Sequence, residues 1–187
     1  MTCHGIITDR RTIHNYAPCR VPDEAVVRAL EAALAAPNHR MTEPWRFTRV
    51  GMQTREELVG VARSIKEEAS QNPLPEPAIE KLRAKMLNPG ELIVASRVRN
   101  EDPAVEREDY AAVACAIYSM MLTLWEEGIG SKWSTGEVTR DPRAYGLLGI
   151  DVHEEEVVGF VWVGVPDGAA PKPRRRRSLD QVLRALP

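Results

Sequence analysis

Two arginines and a threonine stand side by side near the start of the chain, at Arg10, Arg11 and Thr12. Guanidinium groups offer forked N–H donors that match phosphate oxygens, and a hydroxyl adds one more donor. The same residues would also suit an exposed helix C-terminus, where the helix dipole favours cations. Spacing alone therefore leaves two interpretations, an anion-binding site and a solvated helix end.

A polar loop separates an apolar helix from a strand. Pro37 cannot continue the helix before it, and Asn38 and His39 follow directly, ahead of Pro44-Trp45. An amide and an imidazole can both hydrogen-bond to a heteroaromatic ring. A lone loop histidine is also often solvent-facing or locally bonded, so this alternative stays open.

A third candidate is the stretch Trp133-Ser134-Thr135-Gly136, which follows Gly128-Ile-Gly-Ser131. Small residues and glycines let a backbone approach a flat ligand closely. An ordinary strand exit has the same composition.

The basic run from Lys172 to Arg177 is the fourth candidate. Such a run can be a solvated tail, an anion grip or a nucleic-acid patch. The formal net charge of −2 argues against general binding to nucleic acid or to a membrane surface. The histidines lack metal-ligand spacing, and we find no dinucleotide fingerprint, P-loop or nucleophile elbow.

Periodicity and capping signals indicate the elements that must position these residues. The 187 residues predict one domain. Strands that alternate with long helices indicate one sheet in an α/β or α+β fold. Helices are expected over 2–9, 22–36, 53–70, 78–86, 103–127, 141–148 and 179–186, and strands over 45–50, 92–95, 129–134 and 157–165.

Two segments carry further expectations. Residues 110–125 are apolar on nearly every side, so either a partner subunit or the protomer's own sheet and helices must cover this helix. The stretch is too short to span a bilayer. A proline-rich break at 72–77 opens a region, 70–90, that we interpret as a surface excursion and candidate lid.

The cysteines and the N-terminus indicate the cellular compartment in which we expect the protein. Cys3, Cys19 and Cys115 are odd in number and widely separated, which is typical of a reducing cytosol. The N-terminus has no apolar signal region, so we expect a cytoplasmic protein.

The order and spacing of the Arg10-Arg11 pair, the Ala36-Pro37-Asn38-His39 loop and Pro44-Trp45 resemble the nitroreductase superfamily of FMN-dependent oxidoreductases. The resemblance is to its short single-domain subgroup with a histidine in this loop. It implies an α+β fold with a central, mostly antiparallel sheet flanked by helices, and an intertwined homodimer with FMN sites at the interface.

The resemblance also assigns residues to the cofactor. Arg10, Arg11 and Thr12 match the grip on the FMN phosphate and part of the flavin edge, and His14 falls near the pyrimidine edge. The loop with Asn38 and His39 is expected to reach the flavin held mainly by the other subunit.

Two further stretches complete the expected site. The turn Trp133, Ser134, Thr135 and Gly136 would lie over one flavin face, with Ser134 where relatives carry an arginine. Arg176, or its neighbour Arg177, would reach the phosphate from the C-terminal arm, residues 167–187. Ala35 and Glu43 also depart from the family pattern, which has arginine and glutamine there.

The activity implied is oxidation of NAD(P)H through FMN, followed by electron transfer to a nitroaromatic, quinone or similar small acceptor in a ping-pong cycle. No side chain need act as acid or base, so no catalytic residue is assigned. Alternatives are a flavin-fragmenting or reductively dehalogenating relative and a non-catalytic FMN-binding protein. A nucleic-acid module built on the basic run is the least supported.

Overall fold

The structure is a computed structural model that describes residues 2–173 and 176–186. Ten helices and strands and two short 3-10 turns follow one another along the described chain. They are α1 (Cys3–Asp9), α2 (Asp23–Leu34), β1 (Trp45–Arg49), α3 (Met52–Ser70), α4 (Glu76–Leu87), β2 (Glu91–Val98), α5 (Pro103–Glu126), β3 (Gly130–Ser134), a 3-10 turn (Glu137–Arg140), α6 (Pro142–Leu148), β4 (Glu155–Gly164) and a second 3-10 turn (Leu179–Gln181).

The four strands form one sheet in the order β1-β2-β4-β3, and each neighbouring pair is antiparallel. The two central strands, β2 and β4, are mostly apolar, as expected for strands buried on both faces of the sheet. The prediction of an α+β fold with a mostly antiparallel sheet flanked by helices is confirmed.

The two faces of the sheet carry separate cores. Because neighbouring side chains of a strand point to opposite faces, Ile93 and Ala95 of β2 pack with α2 and α5, whereas Leu92 and Val94 pack with α3, α4 and α6. Each face therefore contributes its own layer of helices.

Helix α4 occupies most of the region expected to be a surface excursion. Leu82 and Met86 are buried in the core that α3 also covers. Arg55 of α3, only 2% exposed, donates from Nε and Nη2 to the carbonyl of Met86 and from Nη2 to that of Pro89. These bonds tie the end of α4 to α3, and opening of the region as a lid stays a prediction.

Helix α5 begins and ends where its capping residues indicate. The carboxylate of Asp102 accepts from the amide of Ala104, Pro103 occupies the first helical position, and Gly128 takes a left-handed φ of 75° just after the end. One stripe of the helix stays uncovered within the protomer, since Tyr110 and Tyr118 are 44% and 38% exposed and Cys115 is exposed. The protomer's own elements thus cover only part of α5.

Two predicted elements differ from the structure. Strand β2 runs over Glu91–Val98, longer than the predicted 92–95, because its backbone stays paired through the charged Arg97. The helix predicted over 179–186 is wrong, since only the 3-10 turn Leu179–Gln181 forms there. So short an amphipathic segment needs a surface to pack on, and Leu183 and Leu186 are exposed.

No helix in the described ranges is both long and apolar enough to cross a bilayer.

Candidate functional site

A groove of about 730 Å³ lies where the end of α1 meets the C-terminal arm. It brings together five of the predicted site residues, which are Arg10, Arg11, Thr12, His14 and Arg176. Tyr118 of α5 and the Pro171–Pro173 stretch complete its walls. Residues more than 150 positions apart in the sequence therefore share one surface.

The segment after α1 is held against the sheet edge by backbone pairing. Thr12 forms an isolated parallel bridge with Ser131 of β3, and the amide of Ile13 donates to the carbonyl of Ser131. A Cβ at Gly130 would stand 2.6 Å from Ile13 Cγ1, so glycine is required for this approach. This glycine serves packing within the chain.

The arm is tied to the same edge. Tyr16 pairs with Pro166, and the amide of Asp167 donates to the carbonyl of Asn15. From there the arm passes the groove, where Lys172 and Arg176 line it. Arg174 and Arg175 lie outside the described residues.

The two arginines at the end of α1 differ in their partners. Arg11 folds back on the helix end, where Nη1 donates to the carbonyls of Thr8 at 2.7 Å and Arg10 at 2.9 Å. Arg10 lies with its guanidinium carbon 5.8 Å from the Tyr118 ring centroid. Its Nε and Nη1 are buried and have no hydrogen-bond partner among the described residues. Buried donors without an acceptor cost free energy, and a bound anion would supply the acceptor that these N–H groups lack.

The charge of the groove agrees with that interpretation. Its described lining includes no aspartate or glutamate, whereas Arg10, Arg11, Lys172 and Arg176 all contribute cations. Guanidinium pairs with phosphate oxygens in a forked geometry, and lysine adds a point charge. The donor set fits a phosphate group. Nor do the described residues contain any group of His, Cys, Asp or Glu suited to a metal ion.

The Asn38–His39 loop is built by its own hydrogen bonds. Asn38 Oδ1 accepts from the amide of Glu43 at 2.8 Å, and Asn38 Nδ2 donates to Thr42 Oγ1. Met41 and Glu43 both have left-handed φ values, 54° and 47°, which cost free energy for residues with a Cβ. The loop is therefore held in a strained shape by side-chain bonds, and it presents His39 to solvent.

The loop is fixed to the first half of α5, away from the groove. Thr42 Oγ1 donates to Asp109, and Arg40 pairs with Glu108 at 2.7 Å. Tyr118, at the groove, comes nine residues after Asp109, roughly 13 Å along the helix at about 1.5 Å per residue. Within one protomer, Asn38 and His39 are not brought to the groove.

The residues of the predicted turn at the end of β3 lie in different surroundings, some in the core and some at the surface. Trp133 packs into the core under α2 and α5, and a Cβ on Gly159 would stand 2.1 Å from its Nε1. Its indole lines neither cavity. Thr135 is exposed, and a Cβ at Gly136 would meet nothing within 4 Å among the described residues.

A second cavity, of about 320 Å³, lies between α3, α4, the end of β3, the first 3-10 turn and the middle of β4. Ser134 and Gly136 line it, and Ser134 Oγ accepts from Trp162 Nε1 at 2.9 Å. We call it the α4 pocket. Sequence reasoning missed it, because its walls come from a region interpreted as a surface excursion.

Sequence reasoning also missed Lys132. The residue is only 8% exposed, and its Nζ lies 5.8 Å from the centroid of the Trp162 ring. Burial and the nearby charge of Lys85 lower the pKa of the Lys132 ammonium. A lysine in a short strand is typical of an exposed sheet edge, so the sequence alone does not signal its burial.

The comparisons with known proteins agree with this architecture. Residues 7–165 match the family model described as "Nitroreductase family". YfhC of Bacillus subtilis (strain 168), which carries the name "Putative NAD(P)H nitroreductase YfhC", is 33% identical over 180 residues, or 93% of this chain and 89% of that protein.

Solved structures share the fold. A nitroreductase-like family protein from Bacillus cereus superposes with a TM-score of 0.87 at 24% identity, covering 100% of this chain and 96% of that one. A nitroreductase with bound FMN from Bacteroides fragilis gives a TM-score of 0.75 at 21% identity, covering 97% of each chain. With the family model spanning most of the sequence, the chain belongs to the nitroreductase family.

Proposed function

We propose that this protein oxidises NAD(P)H through a bound FMN and passes the electrons to a small acceptor, such as a nitroaromatic or a quinone, in a ping-pong cycle. Membership of the nitroreductase family makes the chain an FMN-dependent oxidoreductase. YfhC carries the name "Putative NAD(P)H nitroreductase", and the nitroreductase from Bacteroides fragilis was solved with bound FMN.

The observation that carries the proposal is the unsatisfied guanidinium of Arg10. Two of its nitrogens are buried without an acceptor among the described residues, and the surrounding groove holds three more cations. A phosphate monoester supplies the acceptors that these donors lack. The groove is therefore where the chain would hold the phosphate of FMN.

Other residues would complete the grip. Thr12 offers a hydroxyl, and Lys172 and Arg176 would close on the phosphate from the arm. The turn Ser134–Gly136 leaves open space at Gly136, where a flat ring can approach the backbone. When bound, FMN would supply the hydride chemistry, and the chain would position it and exclude water.

The same proposal includes a homodimer. The outer stripe of α5 exposes Tyr110, Cys115 and Tyr118, a patch in the middle part of the helix. In a two-fold dimer that packs α5 antiparallel to its copy, the Asp109 end of one helix lies beside the Tyr118 end of the other. The loop with His39 would then reach the partner's groove, which it does not reach in its own protomer.

An absorption spectrum tests the proposal. Purified protein supplied with FMN should show the visible flavin bands after removal of free cofactor. Those bands should bleach when NADH or NADPH is added without oxygen, and return when a nitroaromatic or quinone is added. Protein that takes up no FMN contradicts the proposal, and FMN that never bleaches indicates a non-catalytic flavin carrier instead.

A further inference from the structure

Lysines and arginines behave differently in this protein. Each ion pair within the described residues is made by an arginine. Lys66, Lys85 and Lys132, by contrast, have neither an ion pair nor a hydrogen bond to any residue that the structure describes. Lys66 and Lys85 line the α4 pocket. Lys132 is not part of the lining, but its Nζ lies 5.8 Å from the ring centroid of Trp162, which is.

The central observation is the burial of Lys132. The residue is more than nine-tenths buried, and its Nζ lies 5.8 Å from the centroid of the Trp162 ring. Lys85 adds a like charge close enough to lower the pKa of Lys132. Taking an ammonium out of water beside another cation costs free energy unless an anion compensates.

The pocket lining contains one carboxylate, that of Glu137, and this residue is exposed, as Lys66 and Lys85 are. No bond joins Glu137 to the three lysines in the described part of the chain. The positive charge of the pocket is therefore not neutralised by the protein itself. An anionic ligand would supply the negative charge that the described residues do not place beside these lysines.

The rest of the wall limits the kind of anion. Ile65, Leu82, Met86, Phe160 and Trp162 line the pocket with apolar surface. Inorganic phosphate or sulfate would gain little from such walls and would lose its hydration. The volume of about 320 Å³ falls at the lower end of the range for ligand sites, roughly 300–1,000 Å³, which suits a single ring.

We propose that the α4 pocket binds a small aromatic carboxylate, with the ring against Trp162 and Met86 and the carboxylate toward Lys132 and Lys85. The inference rests on the proposed function in one respect, that the pocket serves as the anchoring subsite of the electron acceptor. Ser134 and Gly136 line the pocket and belong to the turn proposed to border the flavin. The charged acceptor would thus be selected over its neutral analogue.

Calorimetric titration with two matched probes tests the binding site. 4-Nitrobenzoate and 4-nitrobenzamide have nearly the same shape, and neither is turned over when no nicotinamide is present. We expect the carboxylate to bind at least about tenfold more tightly than the amide, as a charge-assisted hydrogen bond allows. Equal affinity for the two probes would overturn the proposal.

Three variants connect the affinity to the lysines. Lys132→Met should remove most of the preference for the carboxylate, and Lys85→Met part of it, while affinity for the amide stays the same. Lys81→Met is the matched control, because Lys81 is exposed on the same helix and does not line the pocket. A carboxylate preference that survives both Lys132→Met and Lys85→Met would refute the assignment.

Turnover then separates this inference from the proposed function. With NAD(P)H present, Lys132→Met should raise the ratio of KM for 4-nitrobenzoate to KM for 4-nitrobenzamide about tenfold. If the protein takes up no FMN, the proposed function fails while calorimetry still decides the pocket. If FMN binds and bleaches but the variants bind both probes like the wild type, the carboxylate site alone fails.

Discussion

The two cavities lie near the same edge strand, β3, but they differ in the cation they use and in how complete they are. The groove contains arginines, and two N–H-bearing nitrogens of one of them, Arg10, have no acceptor among the described residues. The α4 pocket contains unpaired lysines over apolar walls and is less than half the volume, about 320 against 730 Å³. Forked donors suit a phosphate, whereas point charges above a ring-sized wall suit a single carboxylate.

The cavities also differ in what one protomer supplies. The walls of the α4 pocket all come from its own helices and strands. The groove lacks the His39 loop, which is fixed about two and a half turns of α5 away. In the proposed homodimer a second copy of the chain would complete the groove, whereas the walls of the α4 pocket all come from one protomer.

Removal of Arg10 should have the largest effect and should act on the groove alone. Arg10→Met removes two open donors and a positive charge from the phosphate grip, so FMN affinity should fall about a hundredfold. Titration of the apoprotein with FMN, followed by flavin fluorescence, measures the change. Binding of 4-nitrobenzoate in the α4 pocket should stay the same.

The control for that variant is Arg20→Met, since Arg20 is exposed and lines neither cavity. It should bind FMN like the wild type. FMN affinity that is equal in Arg10→Met and Arg20→Met would contradict the assignment of the phosphate to this groove.

The next effect concerns the close contact between Gly159 of β4 and Trp133 of β3. Gly159→Ala would place a Cβ against the Trp133 indole, so the unfolding free energy should fall by about 2 kcal/mol. Urea denaturation measures it. Trp133→Leu in the same chain should recover much of the loss, because it removes the clashing ring, and a double variant no more stable than Gly159→Ala would show that Trp133 is not the cause.

The smallest effect is a gain in stability at the α4 pocket. Lys132→Met removes a buried, unpaired charge, so the ligand-free protein should gain about 1 kcal/mol. Denaturant melts of both proteins at neutral pH measure this gain. A loss of stability would mean that the ammonium has a stabilising partner.

The pH dependence of that gain follows from linkage. Burial lowers the folded-state pKa of Lys132, so between this value and the ordinary lysine value, about 10.4, the unfolded chain binds more protons than the folded one. Wild-type stability should therefore rise with pH through that alkaline window relative to Lys132→Met. The extra unfolding free energy of Lys132→Met should be largest at pH values below the folded-state pKa of Lys132. It should shrink as the pH rises from there toward the ordinary lysine value.

The groove was predictable from the sequence because its residues form compact motifs. The arginine pair and the basic run each left a solvated alternative open, and the family resemblance assigned both to one phosphate. The structure places Arg10, Arg11 and Arg176 around one depression. Capping and periodicity likewise predicted α5, because Asp102 and Pro103 begin the helix and Gly128 follows its end, and each does so through its own local conformation.

The α4 pocket was not predictable in this way. Its charges come from α3, α4 and β3, and only the packing of α4 against α3, fixed by the buried Arg55, brings them together. The failed helix over 179–186 has a related cause. Its amphipathic pattern is local, but a helix that short depends on a surface that the described protomer does not provide.

Whether the FMN groove of one subunit is completed by the His39 loop of the other can be tested by combining two defective subunits in one dimer. Arg10→Met and His39→Ala homodimers should each bind FMN weakly. In a heterodimer of the two, one site combines both changes while the other has neither, so we predict one FMN per dimer with wild-type affinity, measured on differently tagged and co-purified subunits. A heterodimer without a wild-type-affinity site would show that His39 does not act across the interface and would contradict the account of a groove completed by a second copy of the chain.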